Sequence, residues 1–171
     1  MGSTSAIDIA SPCPGWNQVC PDVEQLADAA AQLALRYAPR VVGLEPLTRI
    51  ELGITLADDD KLQRLNRDYR GKNVPTNVLA FPAWEVGTRP TSGAPLLLGD
   101  IVLGFETVVR EAAEQRKPVA HHLSHMIVHG VLHLLGYDHR TEAEADAMEA
   151  LEMSILAGLG IPDPYCDTTL P

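Results

Sequence analysis

Five of the six histidines lie between His121 and His133, and the sixth is His139. From His125 the chain reads H-M-I-V-H-G-V-L-H-L-L-G-Y-D-H. On a helix a step of four residues turns only about 40° and rises about 6 Å, so His129 and His133 project from one face and can grip one metal ion. Gly136 can take the left-handed conformation that ends a helix, after which Tyr137 and Asp138 let the chain swing His139 towards the same point. Three imidazoles suit Zn²⁺, one ion per chain, at Zn–N distances of about 2.0–2.1 Å, and leave a position open for water, the mark of a catalytic site. Ni²⁺ and Co²⁺ share that ligand chemistry. His125, one turn earlier, is either a competing ligand or a group that orients one, whereas His121 and His122 read as polar residues at a helix start.

The spacing H-x-x-x-H-x-x-G-x-x-H resembles the zinc motif of the metzincin proteases at every position but one, because Gly130 stands where that motif has glutamate. That glutamate is the general base of peptide hydrolysis, and glycine accepts no proton. The chain is therefore expected to be a poor protease, with its metal serving another electrophile.

A second segment points to that electrophile. Residues 61–72 hold five lysines or arginines and one aspartate, a local charge of +4 in a chain whose remainder carries −14. An anion is the expected partner. Arg70 and Lys72 flank Gly71 at the end of a basic helix, and a guanidinium can fork two phosphate oxygens as a clamp on developing charge. Lys61, Arg64 and Arg67 read equally well as a solvated face balancing Asp58–Asp60. A metal ion beside an arginine is a workable arrangement for phosphodiester hydrolysis. Asp100 either orients an imidazole or the Arg70 guanidinium, or is a strand-surface aspartate; Asp138 either hydrogen-bonds beside the metal or caps the next helix.

These residues need a scaffold, and 171 residues with 46% apolar content are enough to bury one core. The net charge of −10 argues against a surface made for non-specific duplex binding, so any nucleic-acid contact is local. The N-terminal stretch lacks the pattern of a signal peptide and no apolar run reaches the length of a spanning helix, so a cytoplasmic protein with no membrane partner is expected. Cys13, Cys20 and Cys166 form no C-x-x-C pair; they read as incidental thiols, with a Cys13–Cys20 bridge or a regulatory role as the alternatives.

The periodicities predict a strand at Ala6–Ala10, a connector over residues 11–21, and a helix over Val23–Tyr37 stopped by Pro39. Arg49–Leu56 alternates as an antiparallel or edge strand does. A helix capped by Asp58 and ended by Gly71 follows, then a strand at Val78–Phe81, a loop from Pro82 to Pro95 and a strand at Leu96–Leu103. Helices are predicted over Glu106–Gln115, Val119–Leu135 and Thr141–Leu159. In the last of these Met148, Leu151, Ile155 and Leu159 form the core stripe, and Glu142, Glu144, Asp146, Glu149 and Glu152 the solvated side. Early strands and late helices favour an α+β class over a doubly wound one. The expected architecture is a single domain over 1–171, with a small mixed central sheet packed by several helices and the histidine metal site at a helix end. Residues 1–21 supply its N-terminal strand and connector, and 163–171 a loose tail.

Three blocks carry a family resemblance: N-R-D-Y-R-G-K-N-V-P-T-N-V-L-A-F-P, then L-G-D-I, then H-G-V-L-H-L-L-G-Y-D-H. Over roughly Leu52 to Ala157 the chain resembles the YbeY family of metal-dependent bacterial endoribonucleases. The resemblance implies an α+β fold, zinc held by His129, His133 and His139, and Arg70 beside the metal in a substrate channel. It also implies cleavage of single-stranded RNA, late maturation of the small-subunit ribosomal RNA 3′ end and ribosome quality control. Arg70 and His133 are then the catalytic candidates, and Arg70 and Lys72 the substrate-binding ones. Ribosomal RNA or ribosomal particles, with a ribosomal protein, are the expected partners. Asn73 departs from the aspartate frequent in the family, and Val74 from a commonly polar position. Thr76 and Asn77 are expected to fix the loop by side-chain-to-backbone bonds. The nucleophile is either water or the RNA 2′-hydroxyl. The competing reading is a zinc-containing ribosome assembly factor that acts mainly by binding.

Overall fold

Short apolar segments, alternating in the first two and nearly continuous in the third, build three parallel strands. In a computed structural model describing residues 5–37, 49–85 and 94–165, β1 (Ser5–Ala10), β2 (Ile50–Ala57) and β4 (Leu96–Gly104) run parallel, and β3 (Val78–Pro82) closes the sheet antiparallel to β4. The order is β1-β2-β4-β3. β2 is thus an interior, parallel strand, which corrects the antiparallel or edge expectation. Its alternation is real, with Ile50, Leu52, Ile54 and Leu56 buried, but it reports a sheet covered unevenly on its two faces rather than strand direction.

The helices are α1 (Gly15–Val19), α2 (Val23–Leu35), α3 (Asp59–Arg70), α4 (Phe105–Glu114), α5 (Val119–Leu134) and α6 (Glu142–Gly158). The predicted boundaries of α3 to α6 hold within two residues, set by Asp58, Gly71, Pro118 and Gly136. No described helix is long and apolar enough to cross a membrane. The connector at 11–21 contains α1, whose Trp16 is fully buried, stands edge-on to Phe105 and donates Nε1–H to the Ala57 carbonyl at 2.9 Å. Cys13 and Cys20 are free thiols; burial, then the neighbouring Asp22, raises the Cys20 pKa. Pro39, most of the 83–94 loop and Cys166 lie outside the described residues.

Sheet pleating decides which helix meets which strand face. Ile101 of β4 turns to α5, where a Cβ at Gly130 would stand 3.0 Å from its Cγ2. Val102 and Leu79, facing the other way, form a small cluster with Ala57 and Leu62 of α3. So α5 and α3 lie on opposite faces of the sheet, and among the described residues a cleft lies at the β1–β2 end of the α3 face.

α3 begins at Asp58, whose side chain accepts from the Lys61 N–H at 3.0 Å, and ends at Gly71 with φ +70°. A Cβ on Gly71 meets nothing within 4 Å, so Gly71→Ala tests the left-handed backbone alone. We expect a loss of about 1 kcal/mol, read as a lower urea midpoint at unchanged slope; an unchanged midpoint would refute that assignment.

Candidate metal centre

α5 carries His129 and His133 one turn apart, and its end is shaped to return the chain. The Gly136 N–H bonds the His133 carbonyl at 3.0 Å and the Tyr137 N–H the Leu132 carbonyl at 3.0 Å, with Gly136 at φ +105°. This is the paired bonding of a Schellman turn, which a glycine at that position permits. Asp138 Oδ1 then accepts from the His139 backbone N–H at 2.8 Å, which holds the Asp138 carboxyl below its usual range, and Oδ2 pairs with Arg140 at 2.8 Å. Asp138 therefore shapes the turn beside the cluster. Helix capping falls instead to Thr141, which accepts from the Glu144 N–H at 3.1 Å.

The turn delivers the three expected histidines to one point. Ligand nitrogens of His129, His133 and His139 all lie within 4.8 Å of one another, the first two residues half-buried and the third exposed. His129 Nε2 and His133 Nε2 are 3.1 Å apart, near the roughly 3.3 Å edge of a tetrahedron with bonds of about 2.0–2.1 Å. The donor set thus fits a divalent ion. Burial, with His129 and His139 alongside, pushes the His133 pKa down to about 4 against Asp138 and the Tyr137 backbone bond, which raise it. At pH 7 the ring is neutral, the form that offers a lone pair.

His125 does not join the cluster. Its Nε2 lies 3.1 Å from Glu152 Oε2, while Glu152 Oε1 reaches His129 Nδ1 at 2.5 Å. Glu152 is the residue missed in the sequence: expected on the solvated side of α6, it is fully buried. Met148, Glu152, Ile155 and Leu156 are the buried positions of α6, so its helical spacing from Met148 and Ile155 was the available signal. Tyr165, within the segment expected to be loose, donates its hydroxyl to Glu152 Oε2. His122, expected as a polar helix-start residue, is buried with Nε2 2.9 Å from Glu111 Oε1, and burial lowers its pKa. Asn77 donates to the same carboxylate at 2.9 Å and accepts from the Val78 N–H at 2.7 Å, fixing the start of β3. Thr76 makes no side-chain hydrogen bond among the described residues.

Asp100, Arg70 and Lys72 make no hydrogen bond to the three histidines among the described residues. Asp100 is exposed on the α3 face of the sheet, above Gly53, and lines a 470 Å³ cleft with Asp8 and Glu51; it orients none of the histidines. Arg70 and Lys72 are exposed at the end of α3 and make no side-chain hydrogen bond or ion pair among the described residues. Among the described residues Arg67 pairs with Asp68, at 3.1 Å. Beside them Tyr69 is 71% exposed and stands edge-on to Phe81 at 5.3 Å. The loop after Gly71 is clasped by Asn66, which donates to the Val74 carbonyl at 2.9 Å, and by Gln63, which donates to Asn73 Oδ1 at 3.2 Å.

Comparison with known proteins places this geometry in a family. The family model described as endoribonuclease YbeY matches residues 18–160. The chain is similar to the endoribonuclease YbeY of Paramagnetospirillum magneticum, with 52% identity covering 96% of this chain and 98% of the relative. It is similar to that of a Bradyrhizobium species at 47%, covering 96% and 93% respectively. A solution structure of TM1509 from Thermotoga maritima shares the fold at a TM-score of 0.56 and 21% identity, over 96% of this chain and 99% of that one. With a family match spanning most of its length and half of its residues shared with a full-length relative, the chain belongs to the endoribonuclease YbeY family.

Proposed function

We propose that this protein is a metal-dependent endoribonuclease that cuts single-stranded RNA, with zinc as its ion, one per chain. The observation that carries the reading is the convergence of three imidazole donors within 4.8 Å, with the nearest further histidine turned away to Glu152. Three donors leave the ion accessible, which favours catalysis over a closed structural site. The relatives' name supports RNA as the substrate class.

A divalent ion bound there supplies Lewis-acid stabilisation for charge building on a phosphodiester. The chain's own residues do the rest. His129, His133 and His139 hold the ion, Arg70 forks phosphate oxygens and Lys72 adds a point charge along the strand. Gly130 offers no proton acceptor beside the cluster. Glu152 is buried and, although burial pushes its carboxyl up, hydrogen bonds from His125, His129 and Tyr165 hold it at about 2, too acidic for a general base at neutral pH. Slow turnover follows, and the nucleophile is either water or the 2′-hydroxyl; a 2′,3′-cyclic phosphate on the product marks the latter.

Late maturation of the small-subunit ribosomal RNA 3′ end and ribosome quality control, in the cytoplasm and on ribosomal particles, is the biological setting we infer. The open, acidic cleft around Asp8, Glu51 and Asp100 suits a basic partner such as a ribosomal protein. That surface also favours the second reading, an assembly factor acting by binding. The test is Arg70→Ala: the variant is expected to keep one ion per chain and lose about 10²-fold in cleavage rate. Cleavage equal to wild type would overturn the role of Arg70, and no cleavage by either protein would favour the assembly factor.

A further inference from the structure

The carboxylate of Glu152 is buried behind the histidine cluster with its side chain 1% exposed, and no lysine or arginine pairs with it among the described residues. Its partners are His125 Nε2 at 3.1 Å and the Tyr165 hydroxyl on Oε2, and His129 Nδ1 at 2.5 Å on Oε1. His125 Nδ1 has no hydrogen-bond partner among the described residues. A carboxylate this deeply buried must be hydrogen-bonded to be tolerated, and here the bonds run to two imidazoles and a phenol. When the Nδ1–H of His129 donates to Oε1, the neutral ring offers its lone pair at Nε2, the atom 3.1 Å from His133 Nε2. A cation there completes a carboxylate–histidine–metal line.

We propose that Glu152 is the positioning residue of the metal centre: it locks His129 in its Nδ1–H form and raises the affinity of the cluster for a divalent cation. Tyr165 and His125 crowd Oε2 and so aim Oε1 at His129. The segment after α6 is thereby part of the site, since Tyr165 stands edge-on to His125 at 5.4 Å with its hydroxyl on the carboxylate. The proposal rests on the metal reading of the three histidines, and the experiment separates the two.

The full chain, stripped of metal, is titrated with Zn²⁺ against a chromophoric chelator and with Co²⁺ by visible absorption, as wild type and as His133→Ala, Glu152→Gln and Tyr165→Phe. Glu152→Gln keeps the volume and one carbonyl acceptor but removes the charge. We expect its zinc affinity to fall 10–100-fold, the Co²⁺ spectrum to change, and the metal-free protein to melt no lower than wild type. A carboxylate kept only for packing would do the reverse, lowering the metal-free melting temperature and leaving affinity alone. Tyr165→Phe removes one hydroxyl from a partly exposed residue, so it tests the idea even if Glu152→Gln does not fold; a several-fold loss of zinc affinity is expected. Affinity within twofold of wild type in Glu152→Gln, or in Tyr165→Phe where the former does not fold, overturns the proposal. If wild type and His133→Ala bind zinc alike, the metal reading itself fails, and this proposal with it.

Discussion

Gly130→Glu, which completes the H-E-x-x-H-x-x-G-x-x-H pattern, is expected to unfold the domain rather than create a peptidase. Position 130 lies 100° round the helix from His129 and faces the sheet, not the metal. A Cβ there would already stand 3.0 Å from Ile101 Cγ2 and 3.1 Å from its Cδ1. The rest of a glutamate would extend into the layer between α5 and β4, where overpacking costs about 1–3 kcal/mol and an unpaired buried carboxylate several more. Against a total stability of about 5–15 kcal/mol, that loss shows as insoluble protein or a large fall in the urea midpoint. Gly130→Ala is the matched control: about 1 kcal/mol gained in helix propensity opposes the tight methyl contact, so its midpoint should move little. Wild-type stability of Gly130→Glu would contradict this packing.

His133→Ala is expected to remove the metal and the activity while sparing the fold. The ring is half-buried, its two Nε2 and backbone contacts are to His129 and Tyr137, and alanine is the better helix former. The metal-free variant should therefore unfold at or near the wild-type midpoint. Its metal content should drop from one ion per chain to none, and cleavage should fall by about 10³-fold, equal to roughly 4 kcal/mol of transition-state stabilisation. Elemental analysis beside a cleavage assay checks both. A variant that retains its ion would move the site away from His133.

The cluster was legible because its information is local. Two histidines at a four-residue step, a glycine stop and a short return specify a meeting point without reference to the rest of the chain. Helix limits at Asp58, Gly71 and Gly136 were legible for the same reason. Glu152 was not, because whether a carboxylate on an acidic helix is solvated depends on how that helix packs against another. Here α6 turns Glu152 towards His125 and His129 of α5. Strand direction in β2 was equally out of reach, since alternation reports which face is covered and not which neighbour pairs. Asp100 illustrates the same limit: its chemistry suits a metal site, but the sheet pleat that aims Ile101 at α5 aims Asp100 the other way. Trp16, amid prolines, gave no periodic signal; its burial comes from docking α1 on Phe105 and the end of β2.

The most direct test is cleavage of an end-labelled single strand from the small-subunit ribosomal RNA 3′ region by wild type and His133→Ala, each metal-loaded, then chelated, then resupplied with Zn²⁺. The account predicts cleavage by loaded wild type, loss on chelation, recovery on zinc return, and none from His133→Ala at any stage. Equal cleavage by both proteins, or cleavage indifferent to the chelator, would contradict it.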